Sequence, residues 1–327
     1  MSSKKKQQRQ QGQTEAEASR KSLEAGGLPL KAVKRLSEEK DAGYPLFTSD
    51  LSVNELLLIR GQGYQPLSQV MGSSLYHVGL QFAPSYGLRR SAPPQMQELS
   101  VVSDAHQKAA KLALGRLQQE AMLLNAHGVV GVRFTRREYG WGKGLLEYTA
   151  IGTAVKLPNT PLPIRPFLSD LSGQAFWKLL QAGYYPAGIV TGYCSYNVVL
   201  GTIWGQRVMN VWYGGSYSNQ EIAPFAQGIA TARKIALKRA SDTALKNSAR
   251  GIVGMQVDMD REMSEYETED DQGKTKSLNL IVHFAVVGTA IRMLRAGRSV
   301  QPPTPTLVLT DLRPGRYGQN RELTFDQ

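Results

Sequence analysis

The chain has 327 residues and a mass of 36.0 kDa, with 41% hydrophobic and 20% charged residues, enough apolar material for a core in each of two ordinary domains. Its net charge of +12 admits an anionic partner without naming one, and its single cysteine, Cys194, excludes an intrachain disulfide and any zinc site built from several thiolates. No secretory apolar region and no run approaching the roughly 18 residues of a spanning helix occurs, so the expected address is cytoplasmic.

The charge is uneven. Residues 1–40 hold ten Lys and Arg against five Glu, and the stretch from Arg292 onward holds six Arg against three acids. Lys4, Lys5, Lys6 and Arg9 lie among glutamines in a segment too polar to repay its ordering, and roughly the first 20 residues are expected to be disordered. A short helix follows, with Leu30, Val33 and Leu36 at helical spacing after Pro29.

The rest of the chain repeats itself. Displacing it by 120 residues lays Leu51, Gly63, Tyr64, Pro66, Val70, Gly72, Tyr76 and Val78 on Leu171, Gly183, Tyr184, Pro186, Val190, Gly192, Tyr196 and Val198. A displacement of 123 lays Ala109, Ala113, Arg116 and the run Ala126–Gly131 on Ala232, Ala236, Arg239 and Ala249–Gly254, and one of 136 lays Gly152-Thr153-Ala154 on Gly288-Thr289-Ala290. These coincidences point to a tandem duplication. The expected organisation is a basic tail with a docking segment at 1–44, a first unit at 45–165, a second at 166–300 and a C-terminal extension at 301–327.

Each unit reads in the same order. A short helix starts at a capping box, Ser52 with Glu55, and ends at Gly63; the second copy keeps Ser172 and Gly183. A strand or hairpin is expected over 66–82, and over 186–204 with a return at 208–213. A long helix comes next, at about 103–125 and 219–248, capped by Ser103 or Asn219, with Ala109, Ala113, Leu117, Ala121 and Leu124 forming one stripe. Two closing strands end each unit, and the second copy carries the longer hairpin. The fold class is α+β, as two tandem two-layer units.

These residues also carry a resemblance. The run Ala126-His-Gly-Val-Val-Gly-Val-Arg-Phe134, the closing Ile151-Gly-Thr-Ala-Val155, and Gly63-Tyr64 with Pro66, Val70 and Gly72 resemble the YbjQ-like family, whose members are often labelled heavy-metal-binding. The resemblance covers most of residues 50–293. It implies a two-layer α+β fold that assembles into pentameric rings, and it implies no established activity. A typical member is one such unit, whereas this chain has two plus basic extensions.

The metal label finds little support in the residues. His77, His106, His127 and His283 face Asn197, Ile229, Arg250 and Glu147 in the other copy, so no histidine is shared, and Cys194 faces Ser74. Neither a metal site nor a cofactor is expected. There is no phosphate loop, no His-Glu-x-x-His and no supported Ser-His-Asp order, so no enzyme is expected. Gly128–Gly131 and Gly251–Gly254 follow a helix and open a strand, the reverse of a phosphate site, and read as helix C-caps with a tight turn. Residues 139–144 read as a flexible hairpin tip.

Charge in the closing hairpins is more informative. Residues 133–147 hold Arg133, Arg136, Arg137 and Lys143 against two Glu, while 258–276 hold eight acids, among them Asp258, Asp260 and Glu262, against three bases. Arg137 and Glu138 fall on Asp260 and Arg261, so two charges are exchanged between copies. One reading is a solvated surface. The other is that equivalent faces meet and use complementary charge, which makes Arg133, Arg136, Arg137, Asp258, Asp260 and Glu262 assembly residues. A cation site on Asp258, Asp260 and Glu262 is a third reading. Finally, Phe47–Leu51 opens the first copy, Leu168–Leu171 opens the second, and Leu307–Leu312 repeats the motif after the second has ended, where it would finish the last unit.

The expected function is a non-enzymatic oligomeric protein acting through its own assembly. Its tail residues Lys4, Lys5, Lys6 and Arg9 would meet an anionic partner: nucleic acid, an acidic protein or a membrane surface. The alternative is a small-ligand or metal-binding oligomer. If ten units form two stacked pentagons, five chains suffice; a single pentagon cannot use whole two-unit chains, and a six-unit trimer stays open.

Overall fold

The computed structural model describes residues 14–43, 46–79, 94–139, 144–200, 221–270, 273–294, 307–310 and 320–323. Lys4, Lys5, Lys6 and Arg9, the return strand expected at 208–213 and most of the tip at 139–144 lie outside them.

Within 14–20 the structure corrects the expected disorder, because residues 14–24 form helix α1. Its end is held from outside. Arg116 donates to the carbonyls of Leu23 and Gly27, and Ser22 Oγ donates to Leu28 O. Helix α2 (Leu30–Asp41) follows Pro29, buries Leu36 completely and sets Arg35 3.6 Å from Glu120. The docking segment therefore sits on the body.

The body contains two four-stranded sheets. The first has the order β1-β4-β3-β5, from β1 (Gln65–His77), β3 (Gly128–Tyr139), β4 (Leu145–Lys156) and the two-residue β5 (Phe167–Leu168). The second has the order β2-β6-β8-β7, from β2 (Gln95–Glu98), β6 (Tyr184–Val199), β7 (Gly251–Asp270) and β8 (Gly273–Met293). Short helices α3 (Val53–Gly61) and α5 (Gly173–Gln181) precede β1 and β6, and long helices α4 (Ser100–Leu123) and α6 (Ala223–Lys246) cover the sheets. This makes six helices among the described residues. Strands β9 (Leu307–Thr310) and β10 (Asn320–Leu323) pair with each other.

Local chemistry explains the repeated residues. Ser52 and Glu55 form the capping box of α3, and Gly63 and Gly183 take φ of +82° and +78° after their helices. Ala109, Ala113, Leu117 and Ala121 are fully buried, as are Ala232 and Ala236. Small residues are needed there because the helix backbone passes directly over a strand: a Cβ on Gly72 would collide with Ala113 O, and one on Gly192 with Ala236 O. Arg116 and Arg239 each donate to a strand carbonyl at 2.6 Å, Ser73 O and Tyr193 O.

Four expectations fail in detail. The glycine runs are not helix caps: Gly131 and Gly254, at φ of +63° and +64°, sit in β-bulges, and the left-handed residues after the helices are Asn125 and Ser248. Ser103 is not an N-cap, since α4 begins at Ser100 and the Ser103 hydroxyl accepts from Ser195 N; α6 begins at Ala223. The middle hairpin is replaced in the first half by an exchange, because β2 pairs with β6 rather than with β1. Glu98 on β2 is held there by Arg239 at 2.5 Å, and Leu99 N donates to Ser195 O. Finally, Leu307–Thr310 pairs with β10 instead of finishing the second sheet.

Candidate assembly joint

The two sheets meet in a polar and aromatic cluster. β3 presents Arg136, whose guanidinium lies 2.9 Å from Asp258 on β7 and 5.6 Å from the centre of the Tyr193 ring on β6. From α4, His106 stacks on Tyr193 with centroids 3.7 Å apart, and its Nδ1 lies 3.1 Å from the Tyr148 hydroxyl on β4. Tyr193 Oη is 2.8 Å from His283 Nδ1 on β8, and His283 Nε2 is 3.7 Å from Glu262. A half-open cavity of about 200 Å³ lies beside the cluster, lined by His106, Phe134, Arg136, Tyr148, Tyr193 and Asp258 among others.

Burial and the neighbouring charges keep the histidine of this joint neutral. Burial, then the charges of Arg136 and His283, push His106 down to about 3, so it is uncharged at neutral pH. Burial pushes the Cys194 thiol up to about 12, with Glu98 adding to the effect, which leaves it a packed thiol rather than a nucleophile.

Of the six proposed assembly residues, the structure brings Arg136 and Asp258 into direct contact and places Glu262 at the edge of the cluster. Arg133 instead pairs with Asp50 at 2.5 Å, and Asp260 accepts from Arg261 N. Arg137 lies opposite Glu147 in the β3–β4 register. The Arg136–Asp258 pair lies within one chain, so it fixes one sheet against the other.

His106, Tyr148 and Tyr193 carry the joint; from sequence His106 is weighed only as a metal ligand and the two tyrosines are passed over. A signal existed: His106, Tyr193 and His283 sit where the other copy has Ile229, Ser73 and Glu147. A joint between two similar sheets is where they must differ.

A second joint is made of backbone. In the opening segment of the second half, Phe167 N and Ser169 N donate to His127 O and Val129 O, while Ser169 O and Leu171 O accept from Val132 N and Gly131 N. The same segment is pinned to its own sheet: Thr289 Oγ1 accepts from Asp170 N at 3.0 Å, lies 3.3 Å from Ser169 Oγ and donates to Asp170 Oδ1. Next to it, Gly173 N donates to Glu55 Oε1 at 2.9 Å, tying α5 to α3.

Among the described residues no three of His, Cys, Asp and Glu converge. Both His127 nitrogens are also engaged, with Thr160 O and Leu157 N. A wider groove of about 630 Å³ is lined by Lys108, Lys111, Arg165, Lys246 and Arg292, with no carboxylate.

A family described as "Putative heavy-metal-binding", the YbjQ-like family, matches residues 95–158, which span β2, α4, β3 and β4. The Encapsulin nanocompartment protein Rv1762c of Mycobacterium tuberculosis is 34% identical over 293 residues, covering 88% of this chain and 98% of that protein. The chain belongs to the YbjQ-like family that includes this nanocompartment protein.

Proposed function

We propose that the chain is a non-enzymatic structural subunit, two tandem YbjQ-like units long, that closes with copies of itself into a cytoplasmic ring or shell serving as a compartment. The observation that carries this reading is the near end-to-end similarity to a nanocompartment protein, which leaves little of that relative's length unmatched. The joint supports it physically. At its centre His106 stacks on Tyr193 beside the Arg136–Asp258 ion pair, a contact between sheets suited to rigidity. Among the described residues no helix is long and apolar enough to cross a membrane.

The finer part of the proposal is an anionic partner. Lys4, Lys5, Lys6 and Arg9 would reach it many times over in a multimer, and the five cations of the groove offer a second contact of the same sign. Light scattering and electron microscopy of the purified chain test the main claim: closed particles of uniform size are expected, and a mass of about 36 kDa at micromolar concentration overturns it.

A further inference from the structure

The joint inside the chain uses two edges, and among the described residues a second copy of each edge has no neighbour. β3 is covered along its outer side by the segment 167–171, whereas β7 is the end strand of its sheet and, among the described residues, has none beside its outer edge. The two strands have the same register. Gly128, Val129 and Val130 face Val155, Ala154 and Thr153; Gly251, Ile252 and Val253 face Ile291, Ala290 and Thr289; and the bulge falls at the same place in both. The groups that β3 offers to the opening segment, His127 O, Val129 O, Gly131 N and Val132 N, therefore have counterparts in Arg250 O, Ile252 O, Gly254 N and Met255 N, which point outward along β7. Exposure agrees: Val132 is 3% exposed, and Met255 is 39% exposed.

Among the described residues the other half of the joint also has an unused copy. Opening segment 47–51 is pinned to its own sheet just as 167–171 is. Asp50 N donates to Thr153 Oγ1 at 3.1 Å, Ser49 Oγ lies 3.1 Å from that hydroxyl, and Leu51 N donates to Ser49 Oγ. Its outer side, Phe47 N, Ser49 N, Ser49 O and Leu51 O, corresponds group for group to the four that bind β3. A single chain thus carries two donors and two acceptors on one edge, and their matching partners on another.

We propose that segment Phe47–Leu51 of a second copy of this chain docks on the outer edge of β7, with Phe47 N and Ser49 N donating to Arg250 O and Ile252 O, and Met255 N and Gly254 N donating to Ser49 O and Leu51 O. The contact is head to tail, so it continues from copy to copy until the rotation closes. This deepens the proposed assembly and rests on it. It also states which surfaces meet, and it makes every sheet in the closed particle equivalent at this edge.

Cysteines at Thr48 and Ile252 test it, because their counterparts Leu168 and Val129 are aligned partners in the internal joint. Under oxidised glutathione the Thr48→Cys/Ile252→Cys chain should give a ladder of covalent multiples on a non-reducing gel, and neither single variant should extend past a dimer. In the unmodified particle, amide exchange at Gly254 and Met255 should be slowed to within about tenfold of Gly131 and Val132. A large particle without the ladder, or with fast exchange at Gly254 and Met255, overturns this docking and leaves the assembly reading standing. A cross-link within one chain in Leu309→Cys/Ile252→Cys overturns it in favour of the chain's own C-terminal segment. A mass of about 36 kDa removes both readings.

Discussion

Thr153 and Thr289 hold the two opening segments in the same way, each hydroxyl accepting an aspartate backbone N–H and facing a serine hydroxyl two positions before a leucine. Both threonines are fully buried. Burial raises the Asp170 carboxyl above its usual range, and the Thr289 hydroxyl, which donates to it, offsets part of that. Thr289→Val should leave a buried N–H and a buried carboxyl without this partner and cost about 2–3 kcal/mol in urea denaturation. Thr289→Ser, which keeps the hydroxyl, should cost less than half as much.

Gly192 and Gly72 lie beneath helix backbone that cannot retreat without uncovering the sheet. Gly192→Ala should cost about 3 kcal/mol or more, or yield insoluble protein, and Gly72→Ala should do likewise. Gly115 has no neighbour within 4 Å of a built Cβ, so Gly115→Ala is the control, expected to be neutral or stabilising in thermal melts.

Arg136 is only 16% exposed while Asp258 is 67% exposed, so the pair is screened on one side. Asp258→Asn should therefore cost less than about 1 kcal/mol. Arg136→Glu sets a carboxylate in the joint beside Asp258 and should cost about 2–4 kcal/mol, with Asp258→Lys restoring part of it. Denaturation midpoints of the two singles and the double measure the coupling.

His106 makes the joint acid-sensitive. Its folded value lies below its unfolded value, so the unfolded chain binds the extra proton first, and stability falls as pH drops below about 6.5 toward about 3. By about pH 5 the loss should reach about 2 kcal/mol, and His106→Gln should flatten that slope. Glu120 and Asp170, raised by burial, run the other way, since protonation relieves their penalty at lower pH. Urea titrations at several pH values separate the two.

Much of this protein is legible along the chain because local rules wrote it. The Ser52–Glu55 box and the alanine stripe from Ala109 to Ala121 follow from capping and helical periodicity, each a property of neighbours in sequence, and Gly72 and Gly192 are legible because the chain repeats them. The candidate joint was half legible: opposite charge in the two hairpins pointed to Arg136 and Asp258, but not to whether they meet within or between chains. Tertiary structure alone decided the rest. The move of β2 onto β6, the stack of His106 on Tyr193, and the covering of β3 by residues 167–171 depend on which of two nearly equal sheets lies closer. Periodicity reports the face a residue takes and not the sheet it joins, so that choice is made only when the chain is packed.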